Sequence, residues 1–426
     1  MWQCQEVSRV SSPVGAARQS SLRELNLALV LGRIAAAGRP PSRADLAAET
    51  GLTRATVSAV VDDLIGGRLV TEADPAPRTG AGRPARGLVL AGDGPAGLGL
   101  EVNVDYLAAC VVDLAGRVRH HTVRRADLRP ATPADALARL GDLAGRAEAD
   151  ARRQGLTLAG TVLGVPGLVG DGGRVRLAPN LGWRDVDVPA LLRRHLPALP
   201  PVAGTPALTV ENEANLAALG ELDAGPDGPA SFLHISGEVG IGAGIVLDGA
   251  LYRGARGWSG EIGHLPIQPD GPSCRCGGRG CLEQYAGQEA ILTAAGLTWA
   301  DLPADTAATR LADLAAAGDP TTLGALHDAG TALGVAVASV VNLLDLDTVV
   351  LGGGYAPLAP WLVPTVRDQI SRRVLTAAWS PVTVRPALLG PEAAVVGAAG
   401  SVVRRIVAEP SGWLSSRRAS WMGEGR

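Results

Sequence analysis

Near the N-terminus, apolar residues recur at helical spacing. Leu22, Leu25, Leu27, Leu29 and Val30 predict a helix from Ser20 to about Leu31, preceded by a loose polar arm over residues 1–19. The next stretch is "GRPPSRADLAAETGLTRATVSAVVDDLIGGRLV". Ser42 can cap a short helix, with Asp45 where a capping box wants an acid. Gly51 breaks that helix and Thr53 can cap the next, in which Val57, Val60, Val61 and Leu64 share one face. Two short helices joined by a Gly-containing turn predict a helix-turn-helix. "GGRLV" and "LVLAG" then read as two strands separated by the Pro/Gly/Arg loop "ADPAPRTGAGRPARG". The whole unit, residues 20–92, reads as a winged helix.

From Gly97 the pattern changes to short apolar strands ending in Gly-rich turns: "GLGLEVNVDYLAACVVDLAGRVRHHTV", "TVLGVPGLV", "ALTVENEANLAALGEL", "SFLHISGEVGIGAGIVLDGAL" and "DTVVLGGG". Helical patterns lie between them, at about 133–154, 211–223, 320–344 and 391–406. This predicts one large α/β unit over residues 97–407. "SGWLSSRRASWMGEGR" has no period, so residues 408–426 are expected to be a flexible tail.

Composition narrows the chemistry. The 426 residues are 46% hydrophobic, enough for two or three cored units. Net charge is only −3, which gives no global drive towards nucleic acid or membrane, but the distribution is uneven. Residues 1–91 carry 11 Arg against 8 acids, and the remainder carries 28 against 34. The chain has no lysine, which excludes a Walker lysine, a Schiff base and a pyridoxal-phosphate anchor. No apolar run approaches 18 residues and no signal-peptide core opens the chain, so a soluble, cytoplasmic protein without a membrane partner is expected.

Two segments point to ligands. In the predicted winged helix, Arg54, Thr56 and Ser58 project from the start of the second helix, where major-groove readers place base-contacting side chains. "GAGRPARG" resembles the Gly-Arg-Pro element that lays an arginine in a narrow A·T-rich minor groove, and Arg83 is the candidate. Farther on, "EIGHLPIQPDGPSCRCGGRGCLE" packs three of the five cysteines into eight residues, with a histidine ten positions before the first. His264, Cys274, Cys276 and Cys281 offer one imidazole and three thiolates, a closed tetrahedral set for Zn²⁺ with no open position for water. A structural zinc is expected there.

The stretch "RGARGWSGEIGHLPIQPDGPSCRCGGRGCLEQYA" resembles the signature of the ROK family (repressors, open reading frames and sugar kinases). The resemblance runs from about Gly97 to Val407 through "GVPGLV", "APNLGW", "ENEANLAALGE" and "LGGGY", and the winged-helix front end resembles the repressor branch, which includes xylose and N-acetylglucosamine repressors. It implies an actin-like fold with two α/β lobes around a cleft. It implies that Asn180, Asn212, Glu213, Glu261, His264 and Glu283 contact sugar hydroxyls. It also implies a homodimer on palindromic operator DNA with a small sugar as effector.

Departures from the family pattern bear on catalysis. Where kinases of the family carry Asp-x-Gly-Gly-Thr, this chain has Glu101, Asn103, Val104 and Asp105; where they carry Gly-Thr-Gly-Ile-Gly, "GEVGIG" places Glu238 and Val239. The added carboxylates would face a triphosphate with like charge. The kinase base position holds Glu213 in place of Asp, one methylene longer. The expectation is a sugar-responsive repressor that is a degenerate kinase without phosphoryl transfer. The alternative is an active ATP-dependent sugar kinase fused to a DNA-binding domain.

Overall fold

The computed structural model describes residues 19–73, 86–196, 207–225, 228–298, 302 and 307–423. The chain begins with helix α1 (Gln19–Ala36), followed by α2 (Arg43–Thr50) and α3 (Arg54–Gly66). Ser42 and Asp45 form a reciprocal capping box at α2, Gly51 closes that helix at φ 72°, and the Thr53 side chain caps α3. Val57, Val60, Val61 and Leu64 all turn into the core. Strands β1 (Val70–Ala73) and β2 (Gly87–Leu90) pair antiparallel, Val70 opposite Leu90. The loop between them, including Arg83, lies outside the described residues, as does the expected arm except for Gln19, which opens α1.

The first lobe carries β3 (Pro95–Val102), β4 (Tyr106–Asp113), β5 (Val118–Arg125), α4 (Pro133–Arg153) and β6 (Thr157–Val165). It continues through a small antiparallel sheet of β7 (Leu168–Val169), β8 (Arg174–Ala178) and β9 (Trp183–Asp187), then α5 (Val188–Leu192), β10 (Leu208–Asn212) and α6 (Glu213–Ala224). The main sheet runs β10-β6-β3-β4-β5. Every residue of β3 and β4 is buried, as expected for central strands covered on both faces.

The second lobe has β11 (Phe232–Gly237), β12 (Ile241–Leu247), β13 (Ala250–Leu251), α7 (Glu283–Ala286), α8 (Gln288–Ala294), α9 (Ala307–Ala316) and α10 (Pro320–Leu344). It closes with β14 (Thr348–Gly353), α11 (Ala359–Arg373) and β15 (Thr383–Pro386), giving the sheet order β13-β12-β11-β14-β15. Among the described residues, α10 is the one helix long and apolar enough to cross a membrane, yet its apolar side chains fill the second lobe's core beside α11.

Helix α12 (Ala393–Ala408) returns to the first sheet and packs against α6, which lies on the second. Two glycines allow the close approach. A Cβ on Gly99 would sit 2.2 Å from the Val395 carbonyl, and one on Gly397 would sit 1.9 Å from the Leu216 carbonyl. The α6–α12 pair is therefore clamped between the two sheets.

The expected flexible tail is corrected. Residues Pro410–Gly423 form helix α13, and Trp413 is only 1% exposed. Its indole Nε1 donates to the Gly67 carbonyl at 2.9 Å, and Leu414 packs where any side chain on Gly67 would clash. A lone aromatic anchor leaves no periodic trace in a sequence, but burying it with its N–H satisfied is a strong local constraint. One core cluster then joins Leu27, Val30 and Leu31 of α1 and Val57 and Leu64 of α3 to Leu216 of α6, Val402 of α12 and Trp413.

Candidate functional site

Between the lobes, at the carboxyl ends of β6, β10 and β11, lies a cavity of about 290 Å³. Open α/β sheets place ligand sites at such strand ends. The six residues singled out for sugar contact, Asn180, Asn212, Glu213, Glu261, His264 and Glu283, all line it. Asn180 follows β8, Asn212 ends β10, Glu213 opens α6, and Glu283 opens α7.

Their individual roles differ. The Asn212 carboxamide oxygen accepts from the amides of Ala214 and Asn215 at 2.9 and 3.1 Å, capping α6. Its Nδ2 donates to the Gly167 carbonyl at 3.1 Å, which leaves one N–H for a ligand. Glu213 Oε2 is shielded from solvent and has no hydrogen-bond partner. Burial is the main cause that pushes its pKa up to about 8, and Glu261 and Glu101 add to it. Asn180 Nδ2 donates to Glu283 Oε2 at 3.3 Å, a bond that joins the lobes. It lies directly over Gly240, where a Cβ would come within 2.6 Å of both groups. Trp258 Nε1 adds a second tie, donating to the Val169 carbonyl at 2.9 Å.

Behind this wall, His264, Cys274, Cys276 and Cys281 bring four ligand atoms within 4.8 Å of one another. Cys276 Sγ and Cys281 Sγ are 3.7 Å apart, and Cys274 Sγ lies 3.9 Å from His264 Nδ1. For tetrahedral bonds of about 2.3 Å, a sulfur–sulfur edge is roughly 3.8 Å. The donor set therefore fits a metal ion. The other His264 nitrogen faces Glu261 Oε2 at 3.8 Å, and Glu283 Oε1 is 3.8 Å from Cys274 Sγ. Both cavity carboxyls thus lean on the metal-ligand loop.

The sequence missed Asn103, Ser236 and Glu238 as lining residues of this cavity. Glu238 drew notice only as a break in a phosphate-loop pattern. It also lines a second cavity of about 360 Å³, together with Glu101, Asp105, Tyr106, Gln288, Gly353 and Gly354. Glu101 is 1% exposed and accepts from Tyr106 Oη at 2.5 Å; burial raises its pKa to about 7. Burial, with Asp105 and Glu101 nearby, holds the Glu238 carboxyl well above the carboxylate range. The expected like-charge barrier is therefore modified. Burial leaves Glu101 only partly ionised near neutral pH and shifts Glu238 in the same direction, so the charge these side chains present is weaker than their number suggests. Val239 turns away from both cavities into the first lobe's core.

At the other end of the molecule, Arg54 is exposed at the start of α3 and Ser58 is half-buried. Thr56 is half-buried too, and its hydroxyl is 2.8 Å from that of Thr53.

The two facing α/β lobes, the inter-lobe cavity and the N-terminal helix-turn-helix define a protein of the sugar-kinase-like fold with an added N-terminal helical unit. The chain belongs to the ROK family, whose model matches residues 97–405. It is 29% identical over 400 residues to the xylose repressor of Bacillus spizizenii, covering 92% of this chain and 98% of that one. Among solved structures it is similar to a ROK family transcriptional regulator, a homolog of the E. coli MLC protein, with TM-score 0.72 and 27% identity over 92% of this chain and 98% of that one. It is also similar to a ROK family glucokinase from Streptomyces griseus in complex with glucose and AMPPNP, with TM-score 0.60 and 28% identity over 72% of this chain and 98% of that one.

Proposed function

We propose that the protein is a sugar-responsive transcriptional repressor. It binds operator DNA through a winged helix and senses a sugar in a cleft that does not transfer phosphate. The observation that carries this reading is the continuous core from the helix-turn-helix, through α12, to α6. The first residues of α6 line the cavity. A sugar that favours one arrangement of the lobes is therefore coupled to the DNA-binding unit, provided it binds the two arrangements with different affinity. Similarity to a xylose repressor across nearly the full length supports the same reading.

In this reading Arg54, Thr56 and Ser58 meet base edges and phosphates in the major groove, and Arg83 enters the minor groove. The protein acts as a homodimer, so that two such heads meet a palindromic site. His264, Cys274, Cys276 and Cys281 hold a structural Zn²⁺, which fixes the loop between Glu261 and Glu283. With no open coordination position, that ion supplies rigidity and no reaction chemistry. Asn180, Asn212, Glu213, Glu261 and Glu283 bind sugar hydroxyls, and His264 orients Glu261.

The test is fluorescence anisotropy of a labelled operator fragment from the protein's own promoter, with and without a panel of sugars. Release by one sugar, without ATP, is expected. Sugar phosphate formed in the presence of ATP-Mg would overturn the non-enzymatic reading.

A further inference from the structure

We infer that Glu238 is a specificity-determining residue of the inter-lobe cavity, where its carboxyl engages a hydroxyl of an unphosphorylated sugar and supplies no cationic donor for a phosphate. This rests on the sugar-sensing reading above and names the effector class.

Position is the first argument. Glu238 stands on the turn between β11 and β12 and lines both cavities, so its carboxyl forms part of the wall between them. The backbone holds it there. Its amide donates to the Gly240 carbonyl at 2.9 Å, and its carbonyl accepts from the Gln288 amide at 3.2 Å. Its Oε1 lies against Gly353, where a Cβ would come within 2.4 Å. The Glu238 amide itself is thus already spent.

Charge is the second argument. Among the described residues, four carboxyls line the first cavity, Glu213, Glu238, Glu261 and Glu283, and no arginine does. Among the described lining residues, His264 is the one side chain able to carry positive charge, and its Nδ1 faces the cysteines. A phosphate needs charged donors or several free amides. Across the wall, Arg125 is already engaged, 3.4 Å from Asp105 and over the Tyr106 ring. A sugar hydroxyl or amine, by contrast, suits these groups. Glu238 sits against the Gly353 turn with its carboxyl at the cavity wall; burial favours its protonated form, which both donates to and accepts from a hydroxyl.

The test is isothermal titration of the full-length, zinc-loaded protein with D-xylose, D-glucose, D-glucosamine, D-glucose 1-phosphate and D-glucose 6-phosphate. At least one of the three unphosphorylated sugars is expected to bind, and neither phosphate to bind within a hundredfold of it. Glu238→Gln keeps a donor and an acceptor and should stay within about threefold of wild type, whereas Glu238→Ala should lose about tenfold in affinity. Circular dichroism and zinc content confirm that both variants are folded. Equal binding of a sugar and its phosphate overturns the inference, as does a folded Glu238→Ala variant with unchanged affinity. If wild type binds none of the sugars, the sensing reading itself falls, and this inference with it.

Discussion

The two cavities meet at Glu238 yet differ in what their polar groups are free to do. The first cavity leaves Glu213 Oε2 unpartnered and keeps one N–H of Asn212 spare, while its outer wall backs onto the four donor side chains of His264, Cys274, Cys276 and Cys281. In the second, Glu101 is tied to Tyr106 and Asn103, Arg125 is tied to Asp105, and Glu238 crowds the Gly353 turn, although Glu101 Oε2 and Asp105 Oδ1 are unpartnered there too. The second space is the roomier of the two, at about 360 against 290 Å³, but more of its lining side chains are bonded to one another.

The largest expected effect is on neither cavity but on the link between them and the DNA-binding unit. Trp413→Ala removes a buried indole and its bond to Gly67 and should destabilise the protein by about 3–5 kcal/mol, read by thermal unfolding. A variant that still folds should bind sugar but release operator poorly. Normal release would mean that α13 plays no part in coupling.

Next comes the metal loop. Cys276→Ser should lose bound zinc, measured by elemental analysis, and weaken sugar binding roughly ten- to hundredfold. If zinc falls while sugar affinity holds, the ion does not brace the cavity and the contrast between the two sites loses its cause. Asn180→Ala breaks the bond to Glu283 across the lobes and should cost about five- to tenfold in sugar affinity, read by calorimetry.

A smaller effect concerns pH. Glu213 and Glu101 titrate near 8 and 7 in the folded protein, above the ordinary carboxyl value of 4.5. A raised acid stabilises fully below its unfolded pKa, and that contribution is lost as pH rises through the folded pKa. His234 is buried and lowered to about 4, so it costs stability as pH falls below 6.5. Between pH 6.5 and 8 only the carboxyls act, and the ligand-free melting temperature should fall across that window. Glu101→Gln should flatten the part below about pH 7, and an unchanged slope would show that Glu101 ionises normally.

Much of this was legible in the chain. Caps at Ser42 and Thr53, the Gly51 break and the buried face of α3 are local features, set within a few residues. The cysteine cluster was legible because zinc chemistry confines its donor types, and the six cavity residues through the resemblance to the ROK family. What escaped depends on distant partners. Trp413 finds Gly67 across 346 positions. Asn212 turned out to cap α6, and the acids at 101 and 238 are raised by burial with Asp105 adding to both, which no linear pattern encodes.

The most direct measurement is a calorimetric titration of sugar into the zinc-loaded protein, with and without ATP-Mg, followed by assay of the mixture for sugar phosphate. Sugar affinity that is indifferent to ATP, with no phosphorylated product, is the predicted result. Binding that requires ATP, or any turnover to sugar phosphate, would contradict a sensor and identify the second cavity as a working nucleotide site.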